Sequence, residues 1–249
     1  MIQIIKNFKN NNINPILWIY FPIFIPLIFI FVKKVNMDFF VTFFTSENGI
    51  IENGTFLILL LAIIISISSL KIIKKKFRKK KLFIFIMLFT ISLIYFAGEE
   101  INWGQHWFHW NAPLFFEVYN DQYIGDTSET NFHNITSWFD QKPRIILTLF
   151  VLVGGILCPF YFNKKININN LKHWIFPEIY CFPTSLVCLF FYILDNSYKI
   201  LCYGKPGIDI TCKYIPQLFV FRTSEIIELY FALFLLIYIL SINLKLKKI

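Results

Sequence analysis

Apolar residues in this chain run in long blocks rather than alternating at the spacing of a half-buried helix or strand. A stretch of about 20 mostly apolar residues is long enough to cross a bilayer as a helix. Six such stretches fall at about 15–32, 55–73, 82–98, 145–162, 174–194 and 224–243. The third, LFIFIMLFTISLIYFAG, is short but carries no charge. Pro22 and Pro26 are expected to bend the first, since helix breakers are tolerated in a span whose neighbours satisfy the backbone. The pattern predicts an all-α polytopic bundle of about six spans, with residues 1–249 forming one integral membrane domain. Lys6 and Lys9 precede an apolar run too long for a secretory h-region. That run ends in Lys33 and Lys34 without a small-residue cleavage site, so the first span is read as retained.

Composition sharpens this picture. Hydrophobic residues make up 57% of the chain, charged ones only 16%, and mean hydropathy is +0.60. A soluble domain of ordinary composition has about a quarter of its residues charged. The polar segments between blocks also sort by sign. Residues 71–81 (KIIKKKFRKKK) carry eight positive charges and no negative one, whereas residues 98–144 carry seven acids, three of the four histidines and four of the six tryptophans. With the N-terminus inside and six alternating spans, sixteen of the 24 Lys and Arg fall on one side. Basic residues concentrate on the cytoplasmic side. Both termini are therefore expected there, and the linker 98–144 at the outer face of the plasma (inner) membrane. Lys33 and Lys34 are the local exception. The net charge of +9 becomes a property of the inner face. It serves as a topology anchor and a surface suited to anionic lipid headgroups, not as a nucleic-acid site.

The five cysteines do not make a disulfide framework. Cys158, Cys181 and Cys188 fall in or near spans and read as small packing residues. Cys202 and Cys212 share the last outer loop, where a bridge and two free thiols are both open.

Candidate chemistry concentrates in the linker 98–144. GEEINWGQHWFHWNAP reads as a helical continuation of the third span up to Pro113. Helical spacing would line Glu99, Asn102, His106 and His109 along one stripe, and Glu100, Trp103, Trp107 and Trp110 along the next. An interfacial helix accounts for the tryptophans. Two glutamates at the mouth of a span ask for water or a partner. Further on, Ser128 reads as a helix N-cap, with Glu129 in the first turn and His133 one turn later. That pair fits either a surface hydrogen bond or an oxygen and an imidazole on one divalent metal, with His106 and His109 as weaker candidate ligands. Asp195 closes the fifth span, and Arg222, Glu225 and Glu228 open the sixth. These groups either converge with Glu99 and Glu100 in an outward cavity or stand separately as wet loop-edge charges.

The strings GEEINWGQ (98–105) and ETNFHN (129–134) resemble a pattern, roughly GEExxWGQ followed by ExNxHN, of uncharacterised bacterial polytopic membrane proteins. The resemblance covers the linker and, at most, the last span. It singles out Glu99, Glu100, Glu129 and His133, with Trp103, Gln105, Asn131 and Asn134 in support. It leaves His106 and His109 outside the pattern, marks residues 121–128 as an insertion, and implies no activity. Intramembrane proteases of the CAAX-processing type also carry paired glutamates. This chain lacks their following Arg and their later histidine motifs.

Three functions fit these features. The first is a membrane-embedded hydrolase or transferase acting on a lipid or lipid-linked substrate at the outer face. In it Glu99 or Glu100 is the general base, and Glu129 and His133 orient water directly or through a divalent metal. The second is an ion- or proton-coupled transporter, although no span carries a central charge. The third is an assembly or scaffold subunit whose Trp-rich outer segment docks a partner. The enzyme reading requires the four residues to gather near the interface. The transporter requires a polar path to the midplane, and the scaffold requires the Trp face to point away from the bundle.

Overall fold

The computed structural model describes residues 13–46, 49–77, 79–120, 123–124, 127–132, 135–161, 170–203 and 223–248. Among them are six helices long and apolar enough to cross a membrane, as the block pattern predicts. They are built on α1 (Ile16–Val35), α2 (Ile50–Ile72), α3 (Lys80–Glu100), α5 (Ser137–Leu149), α6 (Phe182–Tyr203) and α7 (Thr223–Lys247); the fourth span runs from Lys142 past the end of α5 to Tyr161, and the fifth from Lys172 to Ser197. Beyond α5 the chain continues through a wider-wound stretch, Phe150–Leu157, into Cys158–Tyr161. A short helix, α4 (Leu114–Tyr119), and a hairpin of two-residue strands, β1 (Tyr123–Ile124) and β2 (Thr127–Ser128), lie between α3 and α5. The architecture is an all-α multi-pass membrane bundle. Helices prevail because lipid offers nothing to bond a backbone N–H or C=O, so each span must satisfy its own.

The last span is the centre. Most of α7 is buried, whereas only a minority of each of the other five spans is. A helix that is apolar all round belongs in such a place. It runs parallel to α2 in a fixed register. A Cβ on Gly54 would lie 3.9 Å from Leu229 Cδ1. Further along, Asn243 Nδ2 donates to Ser69 Oγ at 2.9 Å. Between α2 and α3 the buried hydroxyls of Ser66 and Thr90 meet at 2.7 Å. Thr90 gives its own proton to the Ile86 carbonyl, which makes Ser66 the donor of that pair.

The two ends of the bundle differ. At one, Lys245 Nζ pairs with Glu178 at 2.9 Å and donates to the His173 carbonyl at 3.1 Å, while Lys79 stands over the Trp174 ring. Lys79, the segment 173–178 and the end of α7 therefore share a lysine-rich end. Glu52 of α2, Glu99 and Glu100 of α3, and Glu225 and Glu228 of α7 share the opposite, acidic end.

Glycine sets how closely the fourth span approaches. A Cβ on Gly155 would lie 1.8 Å from Ser185 Oγ and 2.8 Å from Phe234 Cε2, so its backbone packs directly onto α6 and α7. Helices in lipid associate by such close small-residue contacts. We predict that Gly155→Ala lowers stability by about 1–3 kcal/mol through overpacking. Gly154→Ala, whose Cβ would meet only the Pro177 ring edge at 3.3 Å and Phe150 at 3.4 Å, should cost less. Thermal unfolding of both variants in detergent checks the order.

Candidate functional site

The acidic end is built around the break at the end of α3. The sequence pattern predicts a helix reaching Pro113, but α3 stops at Glu100. Asn102, Trp103 and Gly104 then take positive φ of 45°, 54° and 91°, and His109 follows at 49°. This corrects the two helical stripes expected for residues 99–110. Left-handed backbone costs an ordinary residue about 1–2 kcal/mol, so something must hold Trp103 there. Its indole Nε1 donates to Glu99 Oε1 at 2.8 Å. Its ring lies where a side chain on Gly98 would be, 2.8 Å from an added Cβ. Gly98, Glu99 and Trp103 thus form one clasp that turns the chain.

The clasp receives the segment 128–132. Glu99 Oε2 accepts the Phe132 backbone N–H at 2.8 Å. Gln105 grips the same segment with both ends of its amide. Its Nε2 donates to the Ser128 carbonyl at 2.8 Å, and its Oε1 accepts the Thr130 N–H at 2.7 Å. Asn120 Nδ2 donates to the Glu129 carbonyl at 2.7 Å. Asn131 Nδ2 donates to Glu129 Oε2 at 2.7 Å and to Asn102 Oδ1 at 3.0 Å. Three side chains, Glu99, Gln105 and Asn120, therefore do the work of a strand ladder, and Asn131 ties Asn102 to Glu129. Glu99, Asn102, Gln105, Asn120, Glu129 and Asn131 are all buried. Satisfied networks of this kind fix one arrangement, since each unmet buried polar group is costly.

This geometry also corrects the second local expectation. Ser128 lies in β2, not at a helix N-cap, and residues 129–132 are not helical, so no turn of helix leads out of Glu129. His133, Asn134 and Arg222 lie outside the described residues, as does Cys212. The backbone of His106 is helical and His109 is exposed. Among the described residues, no three of His, Cys, Asp and Glu stand close enough together to hold one metal ion.

Glu100 points elsewhere. Adjacent positions on a helix are about 100° apart, so when Glu99 faces the linker, Glu100 faces the bundle. Its carboxyl group is partly buried and lies within electrostatic range of Glu228, Glu225, Glu52 and Glu99. Carboxylates from α2, α3 and α7 are thereby brought together. Arg144 of α5 approaches the rim, with Nη2 3.8 Å from Glu228 Oε1. Asp195 is buried near the end of α6. Glu52 escaped the sequence reading, because it precedes the apolar run read as starting at residue 55. The available signal was an acid two residues into a helix start marked by Asn48 and Gly49.

The clasp yields a stability prediction. Gln105→Leu leaves the Ser128 carbonyl and the Thr130 N–H without their partner, at a cost of about 1–3 kcal/mol each. Glu99→Gln sets an amide NH2 against one of two N–H donors, and Gly98→Ala drives Trp103 off its seat. All three variants should unfold at lower temperature and be cut faster by protease within the linker, while the exposed control Glu117→Gln should match the wild type. Equal cleavage rates for Gln105→Leu and Glu117→Gln would show that the grip contributes nothing. No family model, curated protein or solved structure matches this chain, and its function has to be read from this geometry.

Proposed function

We propose that this multi-pass membrane protein is an enzyme, a hydrolase or transferase working on a lipid or lipid-linked substrate at the outer face of the plasma membrane. The observation that carries the reading is the convergence of Glu100 with Glu52, Glu225 and Glu228, from three different helices, at the acidic end of the bundle. Carboxyl groups within electrostatic range of one another do not all ionise with equal ease, because each charge opposes the next. Such a set can divide the roles of general acid and general base between its members. Glu100 is assigned as one member of that pair and Glu228 or Glu225 as the other, with Arg144 setting the charge of Glu228. Glu99 and Glu129 position the site. Glu99 already accepts a hydrogen bond on each oxygen and Glu129 on one.

A membrane-bound substrate is favoured because the acids stand where apolar span gives way to polar linker, a level that headgroups share. The lysine-rich end suits anionic headgroups of the cytoplasmic leaflet, which supports the same orientation. Transport is less well supported. Of the buried polar side chains deeper in the bundle, Ser66, Thr90, Ser69 and Asn243 are bonded to one another or to helix backbone, and Thr184 and Ser185 are uncharged hydroxyls. They do not extend the acidic end toward the midplane as a charged path.

The test is turnover by purified, reconstituted protein presented with the total lipid and lipid-linked extract of its native membranes, followed by mass spectrometry. The wild type should convert one lipid class, with a bell-shaped pH profile from one acid and one base. Glu100→Gln and Glu228→Gln should each lose about 10²–10⁴ of the rate, while Glu117→Gln keeps it. Full activity in Glu100→Gln would remove the assignment.

A further inference from the structure

The segment that leaves α3 turns most of its large apolar side chains outward. Phe108 is 80% exposed and Leu114 76%, and Trp107, Trp110, Phe115 and Val118 are exposed as well, beside the polar His109, Asn111 and Glu117. Ala112 and Phe116 are buried, as is Gln105 at its start. In water this arrangement is the wrong way round, since each large apolar side chain left out of an apolar environment forgoes about 1.5–3 kcal/mol. In lipid it is the required one, because backbone that is not helical survives at membrane depth only when protein groups bond it. Gln105, Asn120 and Glu99 supply such bonds to residues 128–132, and within the segment itself the N–H groups of His109, Phe116, Glu117 and Asn120 donate to backbone carbonyls.

A ring contact sets the depth. Trp107 packs edge-on against Phe56 of α2, with centroids 5.0 Å apart. Phe56 lies two turns into a span that begins at Ile50, roughly 9 Å along the helix axis at 1.5 Å per residue. Just beyond it, Leu57, Leu60 and Leu61 of the same helix face outward. The exposed face of residues 107–118 is therefore continuous with the outward face of a span. Tryptophan prefers this boundary, its ring apolar and its N–H polar.

We propose that residues 105–119 form a wedge immersed in one leaflet, at the level where headgroups meet acyl chains, and that the surface covering its aromatic face is lipid. The proposal does not depend on the enzyme reading. It makes the wedge a second element, besides the spans, that holds the acidic end at a fixed depth.

Intrinsic fluorescence of the full-length protein in vesicles of phosphatidylcholine and phosphatidylglycerol tests this. The signal of interest is the difference between the wild type and a Trp107→Phe, Trp110→Phe double variant. Lipid brominated at acyl carbons 6 and 7 should quench that signal at least twofold more than lipid brominated at carbons 11 and 12, and aqueous iodide should quench it less than half as well as free tryptophan. Iodide quenching as strong as that of free tryptophan would put the segment in water and overturn the proposal. Stronger quenching at carbons 11 and 12 would overturn the interfacial depth. Indifference to both quenchers would mean that a second copy of the chain covers the face, which overturns it too. If the double variant does not reconstitute, Phe108→Trp added to the wild type gives the same readout as an increment, judged by the same outcomes.

Discussion

A chain that leaves a helix at the edge of a membrane carries N–H and C=O groups that lipid cannot bond. The acidic end of this protein depends on how that constraint is met. Glu99, Gln105, Asn120 and Asn131 pair with the backbone of residues 128–132 or with one another, in place of a sheet. The turn that makes this possible is strained, with three consecutive residues at positive φ. Trp103 holds it by binding Glu99 and covering Gly98. Removing any one part leaves another buried group unmet, so the parts stand or fall together.

The same constraint divides the two adjacent glutamates. Glu99 faces the linker, and both its oxygens accept N–H groups there. Glu100, about 100° around the helix, faces the carboxylates of α2 and α7. A carboxylate saturated by backbone and indole donors is well placed to hold a turn and poorly placed to move a proton. A carboxyl group among other carboxyl groups is the reverse. The paired acids thus have unlike surroundings, and those surroundings set their tasks more firmly than their shared residue type does.

The spans were legible in the sequence because lipid imposes a length of apolar chain that nothing else in this protein imitates. The break after Glu100 was not. Residues 101–110 contain no proline, and Trp103, Trp107 and Trp110 recur at helical spacing. Asn102 and Gly104 do mark it in hindsight, being residue types that tolerate left-handed backbone. Between them Trp103 does not, and its conformation comes from tertiary contacts that no local pattern reports. The reading of Ser128 as an N-cap failed for a related reason. Its carbonyl is claimed by Gln105, 23 residues earlier, and a chain gripped from outside has no need of its own helix. The sequence placed the acids of α3 and of the last span at one end of the bundle but left open whether they converge, and it gave no part to Glu52.

Whether the acids of α2 and α7 meet productively depends on a register set far from them. The two helices run parallel, touching at Gly54 and Leu229 near one end and at Ser69 and Asn243 near the other. The partners are offset by nearly the same number of residues at both points, so the helices do not slip past each other along their length. The buried hydrogen bond at Asn243 is directional and resists sliding, while Gly54 lets the backbones approach two residues from Glu52. Glu52 and the pair Glu225 and Glu228 are therefore held at one level by packing through the membrane, and Glu100 is brought to that level by the turn that Glu99 secures. The carboxyl cluster is a product of both devices, and neither of them contains a group that takes part in the proposed proton transfer.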